Sequence, residues 1–260
     1  MDAYTLIGVQ KPPTRAALLL SDIKPLNAYI IASTGIPAYQ IGESFPSSCL
    51  IGGTLPSATV TRASAKTALS SHLQECATFR DVALRTIQLH ATDICDHPTA
   101  GEEVAKFGSS MFDILHDDTP NLNLKAVADL AVKSVVDSVM SLADERITKW
   151  EACNVSLQLF KDGLEKMPDI LQTLTKGLPI PSEFNDLVEN RASAIGAIDL
   201  IQNTVLAMID RVRAIQKVFL FLVQDGKQNH ENTNIVMLCG VGIWTELYTA
   251  AKDIRDGLYQ

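Results

Sequence analysis

From Val132 to Leu174, side chains that pack recur in alternating steps of four and three: Val132, Val136, Val139, Ala143, Arg146, Trp150, Cys153, Leu157, Phe160, Leu164, Met167, Leu171 and Leu174. That spacing keeps one seam of a helix against a packed partner, and only Arg146 interrupts its apolar character. A second seam of the same kind follows at Phe184, Leu187, Arg191, Ala194, Ile198, Ile201, Val205, Met208, Val212, Ile215, Phe219 and Leu222, with Arg191 as its exception. Between them stand Pro168, Gly177, Pro179 and Pro181, which predict a break at Pro168 and then a tight turn that sends the chain back. Thr119-Pro120 supplies a cap residue ahead of a proline at a first helical position, and Ser182 can cap the return helix. Residues 120–225 are therefore expected to form a long central hairpin, its first arm spanning roughly 70 Å at ~1.5 Å per residue.

The flanking segments follow the same logic. Residues 1–13, with Gly8 and Pro12-Pro13, read as an irregular surface arm leading to a helix capped by Thr14 and kinked or divided at Pro25. Residues 34–62 gather Gly35, Pro37, Gly42, Pro46, Gly52, Gly53 and Pro56, which predicts one long packed loop. Ser64 can cap a helix to about Ile94 with Leu69, Leu73, Cys76, Phe79, Ala83 and Ile87 inward. Thr99 to Glu102 has capping-box spacing before a helix through Val104, Phe107, Met111, Ile114 and Leu115. A polar loop from Asp225-Gly226 to Thr233 precedes a last helix marked by Met237, Trp244, Leu247, Ala251, Ile254 and Leu258. The expected fold is all-α: a single domain over residues 1–260, an elongated antiparallel bundle of about five helices with one long Gly/Pro/Ser-rich loop.

Composition narrows the function classes. Hydrophobic residues make up 47 % of the 260 positions against 20 % charged, enough to bury a core. The net charge of −8 opposes a phosphate-backbone partner, so nucleic acid is not expected. The N-terminal residues show no basic region followed by an apolar core, so synthesis in the cytoplasm is expected, with leaderless release as one route out. Five widely spaced cysteines suggest buried thiols rather than a disulfide framework. The longest unbroken apolar runs, Val218–Val223 and Ile235–Trp244, fall short of the roughly 20 residues of a membrane-spanning helix.

Candidate chemistry is sparse. His72 and Cys76 stand one helical turn apart, and His90, Cys95 and His97 follow, but the paired short spacings of a zinc site are absent. Arg146 and Arg191 on the seams serve either as buried specificity charges or as stems that snorkel, the second being expected. Asp117 and Asp118 read as a solvated turn. No nucleophile elbow, phosphate-cradling loop, dinucleotide fingerprint or HExxH occurs, so no catalytic, cofactor-binding or metal-ligating residue is assigned and an enzyme is not expected. The stretch Ile235, Val236, Met237, Leu238, Cys239, Gly240, Val241, Gly242, Ile243, Trp244 is apolar on all sides of a helix. Either it is enclosed in the core, or Ile235, Val236, Met237, Leu238, Val241, Ile243 and Trp244 contact a membrane or partner after a rearrangement.

The order of elements, a long helix with Leu157-x-x-Phe160-Lys161-x-x-Leu164, a return helix, and a terminal helix with Trp244-x-x-Leu247-x-x-x-Ala251-x-x-Ile254-x-x-x-Leu258, resembles the helical α-pore-forming toxins. The resemblance covers about the last 140 residues and is to the tail bundle of the haemolysin and enterotoxin binding components. It implies a membrane- or partner-binding protein that acts after rearrangement, alone or as an oligomer. The long apolar head hairpin of that family is missing here, since only Pro168–Pro181 joins the two central helices. A reduced or partner-dependent member is the corresponding expectation. A cytosolic helical scaffold is the alternative, and an enzyme with an unrecognised site comes third.

Overall fold

The computed structural model describes residues 3–10, 20–45, 56–117, 122–175, 179–224 and 230–258, and among these every regular element is helical. The elements are α1 (Ala3–Leu6), α2 (Leu20–Thr34), α3 (Ala38–Ser44), α4 (Pro56–Thr78), a π-helical turn (Phe79–Leu84), α5 (Arg85–Cys95), α6 (Ala100–His116), α7 (Leu122–Thr175), a 3₁₀ turn (Ser182–Phe184), α8 (Asn185–Gln224) and α9 (His230–Leu258). The chain divides into two compact units. One comprises Met1–Ala17, Gln88–Ala152 and Thr204–Asp256, the other Leu18–Ile87, Cys153–Asn203 and Gly257–Gln260. The Thr14 cap, the Thr119-Pro120 start, Gly177, Asp225-Gly226, Cys49 and Asp118 lie outside the described residues.

In the second unit the seams behave as the pattern predicts. Leu157, Phe160, Leu164, Met167, Leu171 and Leu174 of α7 are buried with Phe184, Leu187, Ala194, Ile198 and Ile201, and Ile23, Leu26, Tyr29 and Ile30 of α2 complete the core. Lys161 pairs with Asp199 at 2.6 Å and Gln202 donates to Gln158 at 3.2 Å, so α7 and α8 run antiparallel here. α2 passes through Pro25 without division.

Other expectations need correction. Pro168 does not interrupt α7, which continues to Thr175. A proline removes the amide that would bond the carbonyl four residues back, here that of Leu164. Arg191 Nη1 donates to that carbonyl at 3.4 Å, so a side chain of α8 substitutes for the missing backbone donor. Arg191, half-buried on its seam, thus has a hydrogen-bonding role in addition to its apolar stem. The loop expected over 34–62 is shorter, because Ala38–Ser44 is helical and α4 begins at Pro56, a residue suited to a first helical position. Ser64 accordingly lies inside α4. The inward face of α4 and α5 also shifts: Leu69, Leu73, Cys76 and Phe79 are buried, but Leu84 replaces Ala83 before Ile87. The π turn at Phe79–Leu84 takes one extra residue to close, which moves the inward position from 83 to 84. Thr99 does occupy the N-cap of α6, but its hydroxyl bonds the Glu103 carboxylate at 2.8 Å and makes no capping bond to the backbone.

The first unit is built from α1, most of α5, α6, α9, the first half of α7 and the second half of α8. Its core joins Phe112, Val132, Val136, Ala214, Val218, Phe219, Leu222, Val236, Met237 and Ile243. Ile7 is buried in the same cluster, so the arm at residues 3–10 holds a helical turn and is anchored rather than lying on the surface. Gln216 donates to Asp144 at 2.7 Å and Arg213 to Glu151 at 2.8 Å, again an antiparallel pairing of α7 with α8.

Candidate functional site

The apolar stretch on α9 is divided among three environments. Val236, Met237 and Ile243 face the core of the first unit and are at most 7 % exposed. Leu238 is 73 % exposed and Ile235 36 %, so two large apolar side chains stand in solvent on the opposite side. Val241 and Trp244, with Met237 and Gly240, line a cavity of about 600 Å³ bounded by α6, α7, α8 and α9.

Small residues set the cavity's shape. A methyl group at Gly101 would come within 2.8 Å of Trp244 Cβ, and one at Gly108 within 2.9 Å of Met237 Sδ. The two glycines are seven apart on α6, two helical turns, and let α9 approach the α6 backbone closely along one face. A methyl at Gly240 would meet Val218 at 3.2 Å, so α9 is close to α8 as well. Along α7 the wall runs from Val132, Val135, Val136 and Val139 to Ala143, then to Glu145, Arg146 and Lys149. Its polar groups therefore gather at one end, joined there by Asp93 and His97.

That end is ordered by ion pairs. Arg146 binds Asp93 at 2.9 Å, and Lys149 binds Glu145 one turn away. Arg146 is the more enclosed member of its pair, with 23 % of its side chain exposed against 59 % for Asp93. Snorkelling describes its stem, but its head is held by α5. A second arginine, Arg211, carries no sequence signal and is almost completely buried: it binds Glu246 of α9 at 3.0 Å and donates to the Ala207 carbonyl at 3.0 Å. The indole Nε1 of Trp244 is buried with no hydrogen-bond partner. An unmet buried donor of this kind costs ~1–3 kcal/mol, which marks the position.

His72 and Cys76 are brought together in the second unit. Cys76 Sγ lies 3.6 Å from His72 Nε2, the Tyr29 hydroxyl 2.8 Å from the same nitrogen, and the imidazole stacks on Phe160 at 5.9 Å. Burial pushes His72 down to about 4 and the Cys76 thiol up to about 11. Both are therefore neutral at physiological pH, the reverse of the thiolate–imidazolium pair that nucleophilic catalysis uses. Among the described residues no three His, Cys, Asp or Glu side chains are grouped to hold a metal. His90 packs edge-on against Trp150, and Cys95 is a buried free thiol.

By length and composition, Ser182–Gln224 and Asn232–Leu258 are helices apolar enough to cross a bilayer, with half and a third of their most apolar windows buried. Averaged hydropathy passes this test although no single unbroken run does. Compared with family models, curated proteins and solved structures, the chain has no match.

Proposed function

We propose that this chain is a non-catalytic, membrane- or partner-engaging helical protein that acts after α9 leaves its place. It resembles a reduced component of the α-pore-forming-toxin kind. The antiparallel arrangement of about five helices belongs to the same proposal, and the α7–α8 pairings within each unit support it. The observation that carries the reading is the three-way division of Ile235–Trp244: one helix offers apolar surface to the core, to a cavity and to water. Water-facing Leu238 and Ile235 are poised for first contact with an apolar phase.

Release needs a trigger. Withdrawing Val236, Met237, Ile243, Leu247 and the α9 residues beyond them exposes side chains worth ~1.5–3 kcal/mol each, on the order of 10 kcal/mol together. A second reading, a scaffold that docks another helix, is favoured by Leu122, Leu124, Val127 and Leu130, all exposed at the start of α7. Flotation with liposomes and dye leakage separate the two. Wild-type protein is expected to float and leak dye when a partner or anionic lipid is supplied, and Leu238→Asp, which changes only a solvent-facing side chain, to do neither. A folded protein that never associates with liposomes under these conditions overturns the membrane reading in favour of the scaffold.

A further inference from the structure

We infer that the cavity of the first unit binds the single chain of a long-chain carboxylate, with its head at the Arg146 end. The inference goes beyond the membrane reading, because it needs α9 in its docked position and no bilayer. Three observations carry it. First, about 600 Å³ lies within the ~300–1,000 Å³ of small-ligand sites, and the walls from Val132 to Ala143, with Phe112, Phe219 and Met237, are apolar. Second, the site is long: Val132 to Lys149 covers about 25 Å of α7 at ~1.5 Å per residue, more than the ~15 Å depth of one bilayer leaflet's hydrocarbon. An extended acyl chain fits such a length.

Third, the polar groups fix the head. At the charged end Arg146 and Lys149 line the cavity together with Asp93 and Glu145, and the Arg146 guanidinium keeps part of its surface open beside Asp93. Arg146 has five donors, and its pairing with Asp93 leaves capacity for a carboxylate. Trp244 brings the second donor. Arg213 and Arg211, two positions apart on α8, bind Glu151 of α7 and Glu246 of α9, which places Trp244 at about the level of Lys149. Its unpartnered Nε1–H thus lies at the same end as the guanidinium. An acceptor-rich, anionic head satisfies both, whereas an amine satisfies neither.

The indole also supplies the measurement. Trp150→Phe leaves Trp244 as the single tryptophan of a chain that has two. Its emission would be titrated with a monomeric C16 carboxylate, the matched alcohol, the matched amine and phosphatidylcholine vesicles, with thermal unfolding recorded in parallel. The expected result is a saturable one-to-one shift with the carboxylate and a raised Tm. Affinity should fall at least tenfold for the alcohol, the amine and Arg146→Met, and binding, read for this variant by the rise in Tm, should be lost in Val139→Trp, whose indole fills the groove. Circular dichroism checks that each variant is folded, and Tm elevation of the wild-type protein tests binding independently of any substitution. No saturable shift, equal affinity for alcohol and carboxylate, or undiminished binding by folded Val139→Trp overturns the assignment. A Trp244 shift on concentrating the protein alone overturns it too, in favour of a second copy of the chain in the groove. Vesicle association without monomer binding refutes this inference and leaves the membrane reading standing; monomer binding without vesicle association does the opposite.

Discussion

Arg191→Met tests whether a side chain on α8 keeps α7 continuous. Pro168 is solvent-exposed, so its ring contributes little packing, while its missing amide leaves the Leu164 carbonyl without a helical donor in a residue that is fully buried. Arg191 Nη1 reaches that carbonyl at 3.4 Å, long for a hydrogen bond but charge-assisted. Methionine keeps the apolar stem and removes the donor, which should cost ~1–2 kcal/mol, the lower part of the range for bonds to charged groups. Pro168→Ala restores the amide and removes the ring clash, and should stabilise by ~1–3 kcal/mol. The decisive quantity is the coupling between them. In the Pro168→Ala background the Leu164 carbonyl is already satisfied, so Arg191→Met should cost less there by about 1 kcal/mol. Urea unfolding of the four proteins, followed by circular dichroism with slopes compared throughout, measures it. Equal costs of Arg191→Met in the two backgrounds would refute the substitution of guanidinium for amide.

Two further outcomes follow from buried contacts. Burial holds His72 at about 4 instead of 6.5, so between these values the unfolded chain takes up a proton that the folded chain refuses. Its contribution is complete above pH 6.5 and is lost as pH falls toward 4, by about 3 kcal/mol at most, since each tenfold in proton affinity is worth ~1.4 kcal/mol. His72→Gln should flatten that part of the pH–stability curve, and an unchanged slope would count against it. Gly101→Ala places a methyl 2.8 Å from Trp244 Cβ and 2.9 Å from Cγ, neither of them a flexible side-chain end, so α6 must shift from α9. A loss of ~1–3 kcal/mol and a changed Trp244 emission are expected, whereas a rise in Tm, as helix propensity alone predicts, would show that the approach is looser than described.

Much of the fold was legible because it rests on large apolar side chains at fixed spacing. Leu157, Leu164, Met167, Val205 and Met208 sit where a seam must place them, and burial follows from periodicity alone. What failed depended on partners far along the chain. Ala83 gave way to Leu84 because a π turn at Phe79–Leu84 accompanies the stacking of Phe79 on Phe160, 3.9 Å apart, across 81 positions of sequence. Pro168 reads as a helix breaker until the hairpin register brings Arg191 to Leu164. Arg211 looked like one more polar residue on α8 because Glu246, which makes its burial tolerable, lies on another helix.

The cavity was hidden for a different reason: patterns mark surfaces that are filled, and a gap is made by what a residue lacks. Gly101 and Gly108, two turns apart inside a helix, were its one signal, since glycine there weakens the helix unless something approaches closely. Their approach sets α9 against α6 and aligns Met237 and Trp244 along the groove, so the same residues that would leave for a membrane also wall the cavity. The two proposed activities must then oppose each other. A carboxylate bound only when α9 is docked stabilises that state by RT ln(1 + [L]/Kd), ~2.7 kcal/mol at a hundredfold excess over Kd, against the order of 10 kcal/mol that holds α9 in place. Bound ligand would raise the barrier to release by about a quarter, and its loss would lower the barrier without freeing the helix, so a second trigger is required even from the ligand-free state.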